Sequence, residues 1–164
     1  MIIDFEKMSH SEVIECYSQT TKELKKREIV RTKNITGELG EYIAVDYYNK
    51  TPNLPNLQFS PPSTENIDAI SRKGERYSIK TITNMGSTGV FYGLPSLEND
   101  EVPNQKFEYV IIVKLTNDFA LERILELTWD EFLLNKKWHS RMKAWNLSYS
   151  NKLINCVKNI YIKG

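Results

Sequence analysis

Three residue types able to do chemistry together sit in "NIDAISRKGERYSIKT", residues 66–81: Asp68, Ser78 and Lys80. The stretch reads as two short strands, 67–71 and 76–83, joined by the turn "RKGE". Side chains alternate along a strand, so Asp68 shares a face with Ile70, and Ser78 shares one with Lys80 and Ile82. Pairing through the turn brings a carboxylate, a hydroxyl and an ammonium together near one end of the hairpin. Packing alone does not call for them. The arrangement is either a structural ion pair at a sheet edge or a reactive constellation. A second pair of acids lies upstream in "TGELGEYIA", where Glu38 and Glu41 are three residues apart and share a helix face. The stripe through Glu41 holds Gly37, Ala44, Val45 and Tyr48, mostly small or apolar. That directs Glu41 inward, where a carboxylate needs a partner. Glu38 reads equally well as a first-turn acid favoured by the helix dipole.

The elements that must position these groups follow from periodicity. Residues 10–30 have helical spacing, with Val13, Ile14, Tyr17, Leu24 and Ile29 as an apolar stripe and Ser11 as N-cap. A basic cluster, Lys25, Lys26 and Arg27, suits the negative end of that helix. A second helix starts near Thr36 as N-cap and runs to residue 50. Repeated prolines then make a connector with one extended piece at 57–59. After the hairpin, residues 84–104 form a long loop with three glycines, a length that is often functional. "FEYVIIVKL", 107–115, has the continuous apolar centre of a strand covered on both faces. Another strand is expected at 120–127, then a capping box of Thr128 and Glu131 opening a helix. The tail mixes a strand near 145–149, a helical turn and a last strand. The order predicts an α/β (α+β) fold, a mixed β-sheet flanked by helices.

Composition bounds the function. The chain has 164 residues, 40% hydrophobic and 26% charged, with a net charge of +1. One domain, 1–164, is expected. A charge so near neutral leaves nucleic-acid binding to local surface only. Cys16 and Cys156 are far apart and lack metal-ligand spacing, so reduced thiols in a cytoplasmic protein are expected. The N-terminus has no secretion signal, and no apolar run is long enough to span a bilayer.

"GELGEYIA … NIDAISRKGERYSIKT" resembles the PD-(D/E)xK nuclease superfamily, whose core is a helix carrying Glu, then a hairpin carrying Asp and (D/E)-x-K. Glu41 matches the helix glutamate, Asp68 the motif aspartate and Lys80 the motif lysine. The resemblance covers about residues 34–115. It departs at Ile67, where the motif often has Pro, and at Ser78, where it usually has an acid. It implies a restriction-endonuclease-like fold and a Mg²⁺-dependent DNA endonuclease, with Mn²⁺ able to substitute. Glu41, Asp68 and the backbone carbonyl of Ile79 would be the metal ligands, with Glu38 as a further acid and Ser78 and Lys80 in the catalytic set. A degenerate relative that binds nucleic acid or a protein without cleaving is the alternative, because a serine is a poor metal ligand. A homodimer is implied by two-strand cleavage of duplex DNA. Two carboxylates held close repel each other, so Asp68→Ala is expected to leave the fold intact or stabilised.

Other candidates are weaker. His10 and His139 have no ligand-spaced neighbours. "MGSTG" lacks the Gly-Lys-Ser/Thr ending of a P-loop. Phe91 and Tyr92 are candidate base contacts in a loop that reads equally as a connector. Trp129, Trp138 and Trp145 are expected in the core. Lys136, Lys137, Arg141 and Lys143 are candidate phosphate contacts.

Overall fold

The computed structural model describes residues 3–61, 64–84 and 86–164. Pro62 and Ser63 of the connector, Met85 of the glycine-rich loop, and the first two residues of the N-terminus lie outside them. A single 3₁₀ turn, Phe5–Lys7, precedes the first helix. The elements are α1 His10–Lys26, α2 Ile35–Lys50, β1 Leu57–Phe59, β2 Ala69–Ser71, β3 Arg76–Ile82, β4 Gly86–Ser87, β5 Tyr109–Leu115, β6 Leu121–Thr128, α3 Trp129–Asn135, β7 Lys136–His139, β8 Ala144–Tyr149, α4 Asn151–Cys156 and β9 Lys158–Ile162. Six strands make one mixed sheet in the order β1-β2-β3-β5-β6-β9, and β4-β8-β7 make a second, smaller one. This is an α+β fold. Among the described residues, no helix is long and apolar enough to cross a membrane.

The sheet is antiparallel except at β3–β5, which run parallel. That one pairing explains the long loop. Parallel neighbours need a crossover that returns the chain to the starting end of the sheet. Residues 83–108 make the crossover, with β4 as their only named strand. On the way Phe91 bridges to Trp145 of the second sheet. Phe91 is buried, so the base-contact expectation is overturned for it; Tyr92 beside it is exposed.

Strand β5 shows why the apolar centre of the sequence is continuous. Ile111 and Val113 pack on one face with Ala44, Val45 and Tyr48 of α2. Val110 and Ile112 pack on the other with Phe107, Phe132 and Leu147. Trp129 and Trp145 are buried, as expected, and Trp138 is half-buried with its ring 5.2 Å from that of Trp145.

Helix starts are decided by side-chain caps. Thr128 and Glu131 form the expected capping box at α3. At α1 the cap is Ser9 with Glu12 rather than Ser11. At α2 it is Asn34, which accepts from the Gly37 N–H, rather than Thr36. Asn and Ser cap better than Thr, and the first one available takes the position. Helix α2 lies close on β3 because Gly40 has no side chain. A Cβ there would run into the Thr81 side chain, and Thr81 in turn donates to the Gly37 carbonyl at 3.4 Å. This contact fixes the helix carrying Glu41 against the strand carrying Lys80.

Candidate active site

Asp68 stands where the hairpin ladder stops. Its backbone N–H donates to the Tyr77 carbonyl at 2.8 Å, and its carbonyl accepts from the Ser60 N–H at 2.9 Å. One step earlier the chain turns away at Asn66, which adopts a φ of 59° and donates its side-chain amide to the Tyr92 carbonyl at 2.8 Å. Asparagine tolerates this left-handed conformation better than most residues. Ile79 therefore loses its backbone partner. The Asp68 carboxylate supplies one instead, with Oδ2 accepting the Ile79 N–H at 2.6 Å and the Ser78 hydroxyl at 3.5 Å. Among the described residues Oδ1 receives no hydrogen bond. The N–H and C=O of one strand residue point to the same edge, so the Ile79 carbonyl faces the same gap.

The alternation read from sequence holds. Ser78 is fully buried beside Asp68. Lys80 extends beyond it, with Nζ 4.8 Å from the centre of the Phe91 ring. The ring is buried and gives the ammonium a fixed, apolar seat. Among the described residues Lys80 forms no ion pair within 4.0 Å, so the structural Asp68–Lys80 salt bridge is not made. Its charge still acts on Asp68 and Glu41, favouring their ionised forms.

Glu41 faces Asp68 across a cleft of about 320 Å³ lined by Arg31, Glu38, Glu41, Ser60, Ile67 and Asp68. Burial pushes the Glu41 carboxyl up to about 7, and the neighbouring Asp68 charge adds to the rise. Arg31 and Lys80 oppose it, while Glu38 reinforces it. Asp68 is also raised, by burial, against the Ile79 N–H, Lys80 and Ser78. Two adjacent carboxyls that hold protons too tightly are an unsatisfied pair.

Glu38 has a different position from the one its sequence suggested. It is buried, and its Oε2 accepts the N–H groups of Arg31 and Thr32, so it anchors the entry to α2. That leaves Glu41 and Asp68 as the carboxylates with oxygens to offer. Among the described residues no group of three or more His, Cys, Asp or Glu is placed to hold a metal ion. His10 is exposed, and His139 accepts the Met142 N–H at 3.2 Å in a turn.

Two residues of the cleft had no signal in the sequence. Arg31 lies with Nη2 3.6 Å from Glu41 and Nε 3.8 Å from Glu38, its guanidinium 5.8 Å from the centre of the Phe59 ring. Ser60 is buried, and among the described residues its hydroxyl has no hydrogen-bond partner. A buried polar atom without a partner is uncommon and calls for an explanation. Here it lines the same cleft as the two protonatable acids. The donors gathered in this cleft, two carboxylates, a strand carbonyl and a hydroxyl, are all oxygens. Mg²⁺ is held by one or two carboxylates and keeps several waters, so the residues present fit that ion.

Of the other candidates, Lys136 sits with Nζ 3.2 Å from the centre of the Trp145 ring, while Lys137, Arg141 and Lys143 are exposed. Cys16 and Cys156 are free thiols. Compared with known proteins, the chain matches no protein-family model and no curated protein.

The raised acids make stability depend on pH in a defined direction. A carboxyl at about 7 when folded and 4.5 when unfolded holds its proton better in the native state. Its contribution is fully present below about pH 4.5 and is lost as pH rises through 7. The shift corresponds to an effect on the order of 2–3 kcal/mol. Glu41→Gln keeps the shape and removes the titration. In thermal melts the variant is expected to exceed the parent at pH 8 and to match it at pH 4.5. A parallel decline of both proteins between those pH values would assign the effect to other groups.

Proposed function

We propose that this chain is a Mg²⁺-dependent DNA endonuclease of the PD-(D/E)xK kind, acting in restriction or phage defence. The observation that carries the reading is the pairing of Glu41 and Asp68 across one cleft, with Lys80 beside them free of any ion pair. A bare structural cluster would close that lysine onto one of the acids. The metal, when bound, supplies a Lewis acid for the scissile phosphodiester and lowers the pKa of water. Asp68 Oδ1, Glu41 and the Ile79 carbonyl would hold it. Lys80 presents its ammonium where charge builds on the phosphoryl oxygens. Phe91 beneath it restricts the rotamers of a long side chain. Glu38 positions Arg31, and Arg31 neutralises Glu41 when no cation is present. The partner would be DNA, the compartment the cytoplasm, and the assembly a homodimer that sets one site on each strand.

Supercoiled plasmid incubated with Mg²⁺ or Mn²⁺ tests this. The parent is expected to nick or linearise it, and Lys80→Ala to lose that activity while melting normally. Ser78 favours a second reading, in which the fold binds nucleic acid without cleaving. The hydroxyl is fully buried, so it cannot replace the acid that the motif usually carries at this place. DNA retained on a gel without cleavage of duplex, single-stranded or junction substrates would select that reading.

A further inference from the structure

Helix α1 is 17 residues long and buries none of its side chains. Such a helix in isolation is marginal in water, and most helices in proteins are held by packing of an apolar face. Its apolar face is nevertheless present. Val13 is 39% exposed, Ile14 68% and Tyr17 70%, with Leu24 continuing the same stripe two turns on. The spacing Val13, Tyr17, Thr20, Leu24 follows the alternation of four and three residues that forms a seam between two helices.

Charge on α1 is segregated along its length. The first half carries Glu12 and Glu15, and the second half carries Lys22, Lys25 and Lys26 against the single acid Glu23. A second copy laid antiparallel matches acid to base at both ends, and a parallel copy opposes like charges. The antiparallel register that sets Val13 opposite Leu24 also sets Tyr17 opposite Thr20, Glu12 opposite Lys25 and Glu15 opposite Lys22. Such an interface is isologous, with each contact made twice about a two-fold axis.

We infer that α1 is a self-association element, pairing antiparallel with α1 of a second copy of this chain. The inference rests on α1 alone and does not depend on the nuclease reading. A helix of this length spans only about 25 Å. One such pair falls at the low end of protein–protein interface sizes. The dimer is therefore concentration-dependent in the micromolar range and weakened by salt.

Sedimentation equilibrium of the full chain, from about 1 μM to 1 mM at low and high salt, reads this directly. The parent is expected to dimerise over that range. A Glu12→Lys/Glu15→Lys variant, with a wholly basic helix, and a Lys22→Glu/Lys25→Glu variant, with a wholly acidic one, are each expected to weaken self-association tenfold or more. Mixed in equal amounts, the two should associate again, which shows that both still fold. Val13→Asp/Tyr17→Asp should be monomeric with or without a partner variant. A parent that stays monomeric at 1 mM overturns the proposal. So do charge variants that dimerise like the parent, or a mixture that fails to associate. Binding of the monomeric parent to vesicles of phosphatidylcholine with one-quarter phosphatidylserine, lost in Val13→Asp/Tyr17→Asp, would give the face to a lipid surface instead and likewise overturn it.

Discussion

Glu41→Gln is expected to slow Mg²⁺-dependent plasmid cleavage at least a hundredfold, roughly 2.7 kcal/mol of transition-state stabilisation, while Ser78→Ala slows it only about tenfold, roughly 1.4 kcal/mol. The two residues flank the same aspartate, so the contrast isolates what each does. Glutamine keeps the shape of Glu41 and the packing of α2 on β3 but removes a charged oxygen ligand. Alanine at 78 removes a hydroxyl that is fully buried and lies 3.5 Å from Asp68, a long and weak hydrogen bond. The motif's usual acid at that position is thus absent, and the helix carboxylate would have to carry its work. Rates across a Mg²⁺ series separate affinity from turnover. A Glu41→Gln protein that cuts as fast as the parent would end the idea that the acid has moved to the helix. Magnesium should also raise the melting temperature of the parent at pH 8, where Glu41 is ionised and faces Asp68 without a cation.

How far the sequence foretold this site depends on how local each signal was. The hairpin was readable because "RKGE" ends one alternating run and begins another. Alternation alone then put Asp68, Ser78 and Lys80 on one side. The Thr128–Glu131 box was readable because a cap and its reciprocal acid are three residues apart. Arg31 and Ser60 were not readable. Each reaches the cleft only after α2 packs on β3, and nothing near them in the chain marks the contact. Phe91 was misassigned because a loop aromatic reads as exposed, whereas the crossover between parallel strands runs under the second sheet and buries it. The apolar stripe of α1 was read correctly from its period, but period does not say what covers it. The strand β7 was hidden by "KKWHSRMKAW", whose basic residues lie on a short hairpin with β8.

Asp68→Asn is expected to abolish cleavage and the stabilisation that Mg²⁺ gives, yet to melt close to the parent without metal. Asp68→Ala should lose activity equally and melt lower. The difference comes from Ile79. Its N–H donates to Asp68 Oδ2 at 2.6 Å, in the place where the ladder has lost a backbone carbonyl. An asparagine oxygen accepts that hydrogen bond and alanine does not, leaving a buried donor unpaired at a cost of about 1–3 kcal/mol. Removing a carboxylate that burial has pushed up in pKa offsets part of this loss in both variants. The charge-repulsion argument by itself made alanine neutral or stabilising; the hydrogen bond to Ile79 reverses that expectation. Melts of the two variants with and without Mg²⁺ at pH 8, together with calorimetric titration of the metal, measure both effects. An Asp68→Asn protein that still cleaves at the parent rate would reduce Asp68 to a ladder substitute, and the metal site would have no aspartate left to build on.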